Sequence, residues 1–232
     1  MMEAILREGL TALSLPTAGI PALLRYWELL AEKNKVMNLT AITDPGEAAR
    51  LHFLDSAALL ALTDLRGKSV VDVGTGAGFP GLPLKILEPS IRLTLLDAQR
   101  KRVDFLREVC EALGLEDVEC VHGRAEEFAR ERREDFDAAV SRAVASLPVL
   151  AELCLPLVKP GGQFLAMKSV DTNEELNAAG RAAGLLGGRL EKPLDYVISG
   201  TEIPRRLVIL TKMGETQKKY PRTFAKIKKY PL

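Results

Sequence analysis

Apolar residues change their spacing along this chain of 232 residues, and the change divides it. Up to about residue 63 they recur at helical intervals. In LLRYWELLAEKNKVM, the residues Leu23, Trp27, Leu30 and Val36 mark one expected apolar face. In NLTAITDPGEAARLHFLDSAALLAL, the pair Asp44-Pro45 supplies a cap and a first helical position, so a second helix is expected there. Short alternating runs are missing from this part of the chain. Residues 1–63 are therefore expected to form an N-terminal helical extension.

From Lys68 onward the apolar residues gather into runs of strand length: SVVDVG, IRLTLLD, VECVHG, FDAAVS and GQFLAMK. Helical stretches such as KRVDFLREVCEALGL and SLPVLAELCLPLV separate them. Strand alternating with helix predicts crossover units and a mostly parallel, doubly wound sheet over residues 64–213. Lys159-Pro160-Gly161-Gly162 reads as a tight turn into the fifth strand. LDYVISG and RRLVILTK follow with no helix between them, which predicts an antiparallel pair at one edge.

Composition adds exclusions. Hydrophobic content of 47% with 27% charged residues is that of an ordinary globular protein. The most apolar window, AAVSRAVASLPVLAELCLPLV, is broken by Arg142, Pro148 and Glu152, so no membrane span is expected. The opening MMEAILREGL lacks the basic-then-apolar layout of a signal peptide. Three cysteines without a Cys-x-x-Cys pair, and only His52 and His122 as histidines, argue against a metal site and for a reducing, cytoplasmic setting. The formal net charge of +1 conceals an asymmetry: from Thr211 onward seven bases face Glu215 alone. Residues 214–232 are expected to be a basic tail, either an arm for a polyanion or a solvated end.

Parallel sheets bind ligands beyond the carboxyl ends of their strands. The first strand runs through Asp72 into Gly74-Thr75-Gly76-Ala77-Gly78-Phe79-Pro80-Gly81. Counted from Gly76 this matches Gly-x-Gly-x-x-Gly. Counted from Gly74, where the strand ends and a dinucleotide fingerprint should begin, Phe79 stands where glycine is required. A glycine loop before a helix favours any anion, carboxylate as well as pyrophosphate, and also serves tight packing with no ligand at all. Asp97, ending the second strand about twenty residues later, suits ribose hydroxyls, with Ala98 beside it, and can equally cap the following helix. The third strand ends near Ala125 and Glu126. Three acids, Asp72, Asp97 and Glu126, around one pocket would repel a pyrophosphate and suit a cationic sulfonium. The reading therefore moves from a dinucleotide to S-adenosylmethionine, and from an oxidoreductase to a class I methyltransferase with a Rossmann-like sheet.

The fourth strand ends in Ser141-Arg142, without an Asn-Pro-Pro-Tyr type motif for exocyclic amines or a Pro-Cys nucleophile. Arg142 can orient substrate or cofactor, or form a surface ion pair. Here the chain resembles the ribosomal RNA small subunit methyltransferase G family. The resemblance rests on HFLDS, DVGTGAGFPGLPL, LLDAQRKRVDFLREV, GRAEEF, DFDAAVSRAVASL, FLAMK and RRLVILTK, in order from about Asn38 to the basic tail. It implies methyl transfer from S-adenosylmethionine to N7 of one guanosine in bacterial 16S ribosomal RNA, on the RNA or on a small-subunit assembly intermediate. Cofactor contacts are then expected at Asp72, Gly74, Thr75, Gly76, Gly78, Phe79, Asp97, Ala98, Ala125, Glu126 and Arg142.

Guanine N7 carries no proton, so no catalytic base is expected. Arg142, Lys168, Arg205, Arg206, Lys218, Lys219 and Arg222 are the expected RNA contacts. Tyr220 and Phe224 either stack on RNA or pack on the body. His52 and Asp55, three apart on one helix, either border the pocket or pair structurally. The chain is expected to act as a monomer. Two positions depart from the family: Ser169 follows Lys168 where glycine is usual, and Thr223-Phe224-Ala225 replaces a Gly/Pro-rich spacer. A non-catalytic RNA-assembly role on the same fold is the remaining alternative.

Overall fold

The computed structural model describes residues 1–142 and 145–232. The Ala143 that completes the Ser-Arg-Ala motif lies outside them. The N-terminal helices are α1 (Met2–Ala12), α2 (Ile20–Met37), α3 (Pro45–Ala48) and α4 (Asp55–Leu62). Asp44 caps α3 as expected, its Oδ1 accepting from the Glu47 N–H at 2.8 Å with Pro45 in the first turn. Between α3 and α4 the backbone widens into a π-helical turn, Ala49–Leu54. On α2, Leu23, Trp27 and Leu30 are buried as expected, whereas Val36 is 78% exposed. Thirteen residues after Leu23 a helix has turned by about 220°, so Val36 points away from the stripe.

The sheet comprises β1 (Ser69–Val73), β2 (Arg92–Asp97), β3 (Val118–His122), β4 (Phe136–Arg142), β5 (Val158–Lys168), β6 (Gly188–Leu190), β7 (Leu194–Val197) and β8 (Pro204–Lys212). Its order is β3-β2-β1-β4-β5-β8-β6, with β7 also paired to β8. The first five strands run parallel, and β8 is antiparallel to β5, β6 and β7. The chain therefore reverses direction of winding between β1 and β4, which opens a crevice at their carboxyl ends. The expected edge pair is present, and β6 extends it. The turn expected before the fifth strand is a bulge inside it. Phe136 pairs with Val158 and Ala138 with Gln163, so Lys159–Gly162 loop out of register.

Crossover helices are α5 (Gly81–Leu87), α6 (Arg100–Leu113), α7 (Ala125–Glu131), α8 (Leu147–Cys154) and α9 (Asn173–Leu185); α10 (Phe224–Lys229) lies in the tail. Alternation along the strands feeds two cores. Val70, Leu165, Leu207 and Ile209 face the N-terminal helices, α5 and α6. Val71, Phe164, Ala166, Val208 and Leu210 face α8, α9 and the tail. The N-terminal segment thus shares one side of the sheet with α5 and α6 rather than perching on it. Among the described residues no helix is long and apolar enough to cross a membrane.

The tail is docked, not solvated. Tyr220 and Ile227 are buried in the second core. Arg133 donates to the carbonyls of Tyr220 (2.9 Å), Gln217 (3.1 Å) and Thr216. Arg222 meets the fully buried Glu152 through its backbone N–H (2.9 Å) and its guanidinium (2.5–3.1 Å).

Candidate active site

The loop after β1 is shaped by what lies beneath it. Asp72 Oδ2 accepts from Thr75 Oγ1 (2.7 Å) and from the Gly81 N–H (2.8 Å), while Oδ1 is buried without a partner among the described residues. Burial pushes this carboxyl up to about 6, against the pull of those two donors. A Cβ on Gly81 would stand 2.8 Å from Asp72 Oδ2, and one on Gly78 2.5 Å from the Tyr26 hydroxyl, at φ +106°. The Tyr26 hydroxyl donates to the Ala77 carbonyl, so α2 holds the loop from behind. Asp72 and Gly78 therefore brace the loop and do not line the crevice, contrary to the sequence expectation. The ring of three acids is a pair, Asp97 and Glu126.

The crevice has two joined compartments. The larger, about 470 Å³, is lined by the Gly74–Ala77 loop, Phe79, Gln99, Arg102, Arg142 and His52. The smaller, about 150 Å³, is walled by Val73, Leu96, Ala125, Glu126, Leu153 and Phe224. Gly74, Asp97 and Ala98 belong to both. Asp97 anchors the junction: Oδ1 accepts from the Gln99 N–H (2.8 Å), Oδ2 from the Gly76 N–H (3.0 Å), and Arg102 stands 3.5 Å away. A carboxylate oxygen accepts more than one hydrogen bond, so Asp97 retains room for a ligand hydroxyl. Its capping and ligand-binding readings are compatible.

The mouth belongs to the N-terminal segment. π turns recur at functional sites, and this one presents to the mouth the carbonyls of Leu51 and His52, the second of which also accepts from the Asp55 N–H and from Ser56 Oγ (2.6 Å). Arg142 Nη1 donates to them at 3.0 and 3.5 Å and to Asp55 Oδ2 at 3.1 Å. The Tyr196 hydroxyl, from β7, donates to Asp55 Oδ1 at 2.9 Å. The Phe79 ring is sandwiched between His52 (centroids 4.5 Å) and Tyr26 (5.3 Å), with the Arg142 guanidinium 5.2 Å from its centre. Arg142 Nη2 faces His52 Nδ1 at 3.3 Å. Because a guanidinium only donates, Nδ1 accepts and the imidazole proton sits on Nε2, toward Thr40 Oγ1 at 2.8 Å. Burial, then the Arg142 charge, pull His52 down to about 4. His52 is neutral, and its one lone pair is engaged.

A further cavity of about 440 Å³ shares Arg142 and His52 with the crevice and continues past Ile42, Met167, Lys168 and Arg205. Lys168 and Arg205 thus border it, with Lys168 also donating to the Ala145 carbonyl (3.0 Å) and pairing with Glu175 (3.1 Å). Arg206 does not face it. Its guanidinium grips Asp195 through two bonds (2.6 and 2.8 Å) and also reaches Asn173 (2.6 Å) and the Val170 carbonyl. Arg222 is likewise held by Glu152, so neither arginine is the open RNA contact expected of it. Lys218 and Lys219 are exposed. Sequence reasoning missed Tyr26, Tyr196 and the wall role of Phe224. Only the placement of each beside a distant segment reveals it.

The chain matches the family model described as rRNA small subunit methyltransferase G over residues 19–194. It is 47% identical over 210 residues to a ribosomal RNA small subunit methyltransferase G of Clostridium botulinum (strain Loch Maree / Type A3), covering 89% of this chain and 88% of that one. It is 44% identical over 235 residues to the protein of that name from Alkaliphilus metalliredigens, covering 99% and 98%. Among solved structures, TrmN from Thermus thermophilus is similar at a TM-score of 0.53 and 24% identity, over 68% of this chain and 48% of that one. Precorrin-6y C5,15-methyltransferase from Geobacter metallireducens is similar at 0.52 and 16%, over 68% and 87%. These two likenesses concern the fold, that of class I methyltransferases.

Proposed function

Since the chain belongs to the ribosomal RNA small subunit methyltransferase G family, we propose that it transfers a methyl group from S-adenosylmethionine to N7 of a guanosine in small-subunit (16S) ribosomal RNA. The observation that carries this is the crevice itself: two compartments joined at Asp97, one opening into a third cavity at Arg142. The donor set fits the cofactor. Asp97 would take the ribose hydroxyls, the backbone of Gly74, Thr75 and Gly76 the amino-acid end, and Ala125 with Glu126 the base. When bound, the cofactor supplies an electrophilic methyl group on a cationic sulfonium.

Arg142 and His52 stand where the two larger of these cavities meet, with the Phe79 ring stacked on His52 beside them, so the three would position the guanine entering from the RNA side. A base unstacked from its RNA would pass Ile42 and Met167 and meet Lys168 and Arg205, cations suited to phosphate and to the electron-rich purine edge. Among the described residues the two titratable side chains at this meeting point that could act as bases are already engaged: His52 gives its lone pair to Arg142, and Asp55 is ion-paired with Arg142 and accepts from Tyr196. Attack by N7 requires none, and rate enhancement comes from holding the two reactants in line. Mapping N7-methylguanosine at nucleotide resolution in small-subunit RNA, from cells with and without the protein, tests the reading. One position methylated only in its presence is expected; an unchanged map overturns it.

A further inference from the structure

The tail reaches the cofactor crevice from the far side of the sheet. Phe224, the first residue of α10, closes the smaller compartment opposite Val73, Leu96, Ala125 and Leu153. The Arg124 guanidinium lies 5.7 Å from the centre of its ring, fixing one side of it. Ile227, one turn on, is fully buried, while Lys226, Lys228 and Lys229 face solvent. Arg222, two residues before Phe224, is held by Glu152 and donates to the Tyr230 carbonyl (2.9 Å), so the segment is clamped on both sides of the aromatic ring.

A compartment of about 150 Å³ walled by aliphatic side chains and one aromatic ring, with Glu126 at its edge, suits a flat purine. We propose that the C-terminal segment completes the cofactor site in this chain, with Phe224 as the wall against which the adenine ring rests. This rests on the reading that the crevice takes S-adenosylmethionine. It adds that cofactor affinity depends on the tail segment around Phe224. The tail is then part of the cofactor site as well as a surface for RNA.

Calorimetric titration of the full chain with S-adenosylhomocysteine, which cannot donate a methyl group, provides the test. Phe224→Ala should weaken binding about tenfold, and Phe224→Tyr, which keeps the ring, should stay within about threefold of the wild type. Melting temperatures establish that both variants are folded. In the wild type, amide exchange over residues 223–229 should slow when S-adenosylhomocysteine binds, a measurement that needs no variant. Equal affinity of Phe224→Ala and wild type, equal losses in both variants, or unchanged exchange would each overturn the inference. If Asp97→Ala weakens binding and Phe224→Ala does not, the cofactor reading stands and the tail's part in it falls. If the wild type binds no S-adenosylhomocysteine, both fall together.

Discussion

The two ends of the chain are attached to the sheet by opposite means. The N-terminal segment buries stripes of leucine and aromatic side chains, Leu6, Leu10, Leu23, Leu30 and Phe53 among them, against one face. The C-terminal segment buries little more than Tyr220 and Ile227 and is otherwise held by polar clamps, Arg133 on backbone carbonyls and Glu152 on Arg222. Apolar attachment is spread over many residues, so each is partly replaceable. Polar attachment is concentrated, so the loss of one group leaves a buried charge behind.

Arg222→Ala provides the sharpest test of that contrast. It should cost about 3–5 kcal/mol, the toll of leaving the buried Glu152 carboxylate without its cation, and should expose the tail to limited proteolysis near residue 220. Leu30→Ala should cost about 2–5 kcal/mol while the tail stays protected, because the cavity lies in the other core. Similar proteolysis of both variants would erase the distinction.

A smaller effect separates the acid responses of the loop and its mouth. His52 is held near 4 when folded against an ordinary 6.5, so its stabilisation is complete above pH 6.5 and is lost as pH falls through 4. Asp72 has the reverse sign: raised to about 6 from 3.8, it favours the folded state below pH 3.8 and ceases to as pH rises through 6. Between pH 4 and 6 the two oppose each other. Urea titrations should show His52→Gln gaining stability on acidification from pH 6.5 to 4.5 and Asp72→Asn losing it, relative to the wild type, each on the order of 1–2 kcal/mol. Parallel curves for the two variants would contradict the assignment.

The smallest expected effect concerns the tail's solvent side. Replacing Lys218 and Lys219 together by alanine should weaken RNA binding a few-fold and flatten its salt dependence, by a slope change of about 1–2. Replacing the exposed Lys35 on α2, which pairs with Glu32, should leave both unchanged. Filter-binding assays across a salt series measure this.

Much of the fold is legible in the pattern of apolar residues. The five parallel strands and the β7–β8 pair stand out as short apolar runs, and the N-terminal helices as spaced ones. The three-residue β6, Gly188–Leu190, is too short to carry a pattern. In the site, Asp97, Glu126 and Arg142 follow from their places at or just after strand ends, and Phe79 from the family resemblance of its loop. Asp72 misleads because the strand carries it one residue too early, turning it under the loop. The docked tail has one trace in the sequence. Glu152 interrupts the apolar run LAELCLPLV, and a charge buried on such a helix requires a partner; that partner, Arg222, is 70 residues away.

Arg133 grips carbonyls that follow it by 83 to 87 residues. During synthesis, every strand of the sheet is therefore made before this grip can close. Contacts of such sequence separation form late because they must first close a long loop of chain. A polypeptide in the course of synthesis has its sheet in hand before the clamp that fastens the tail segment to it.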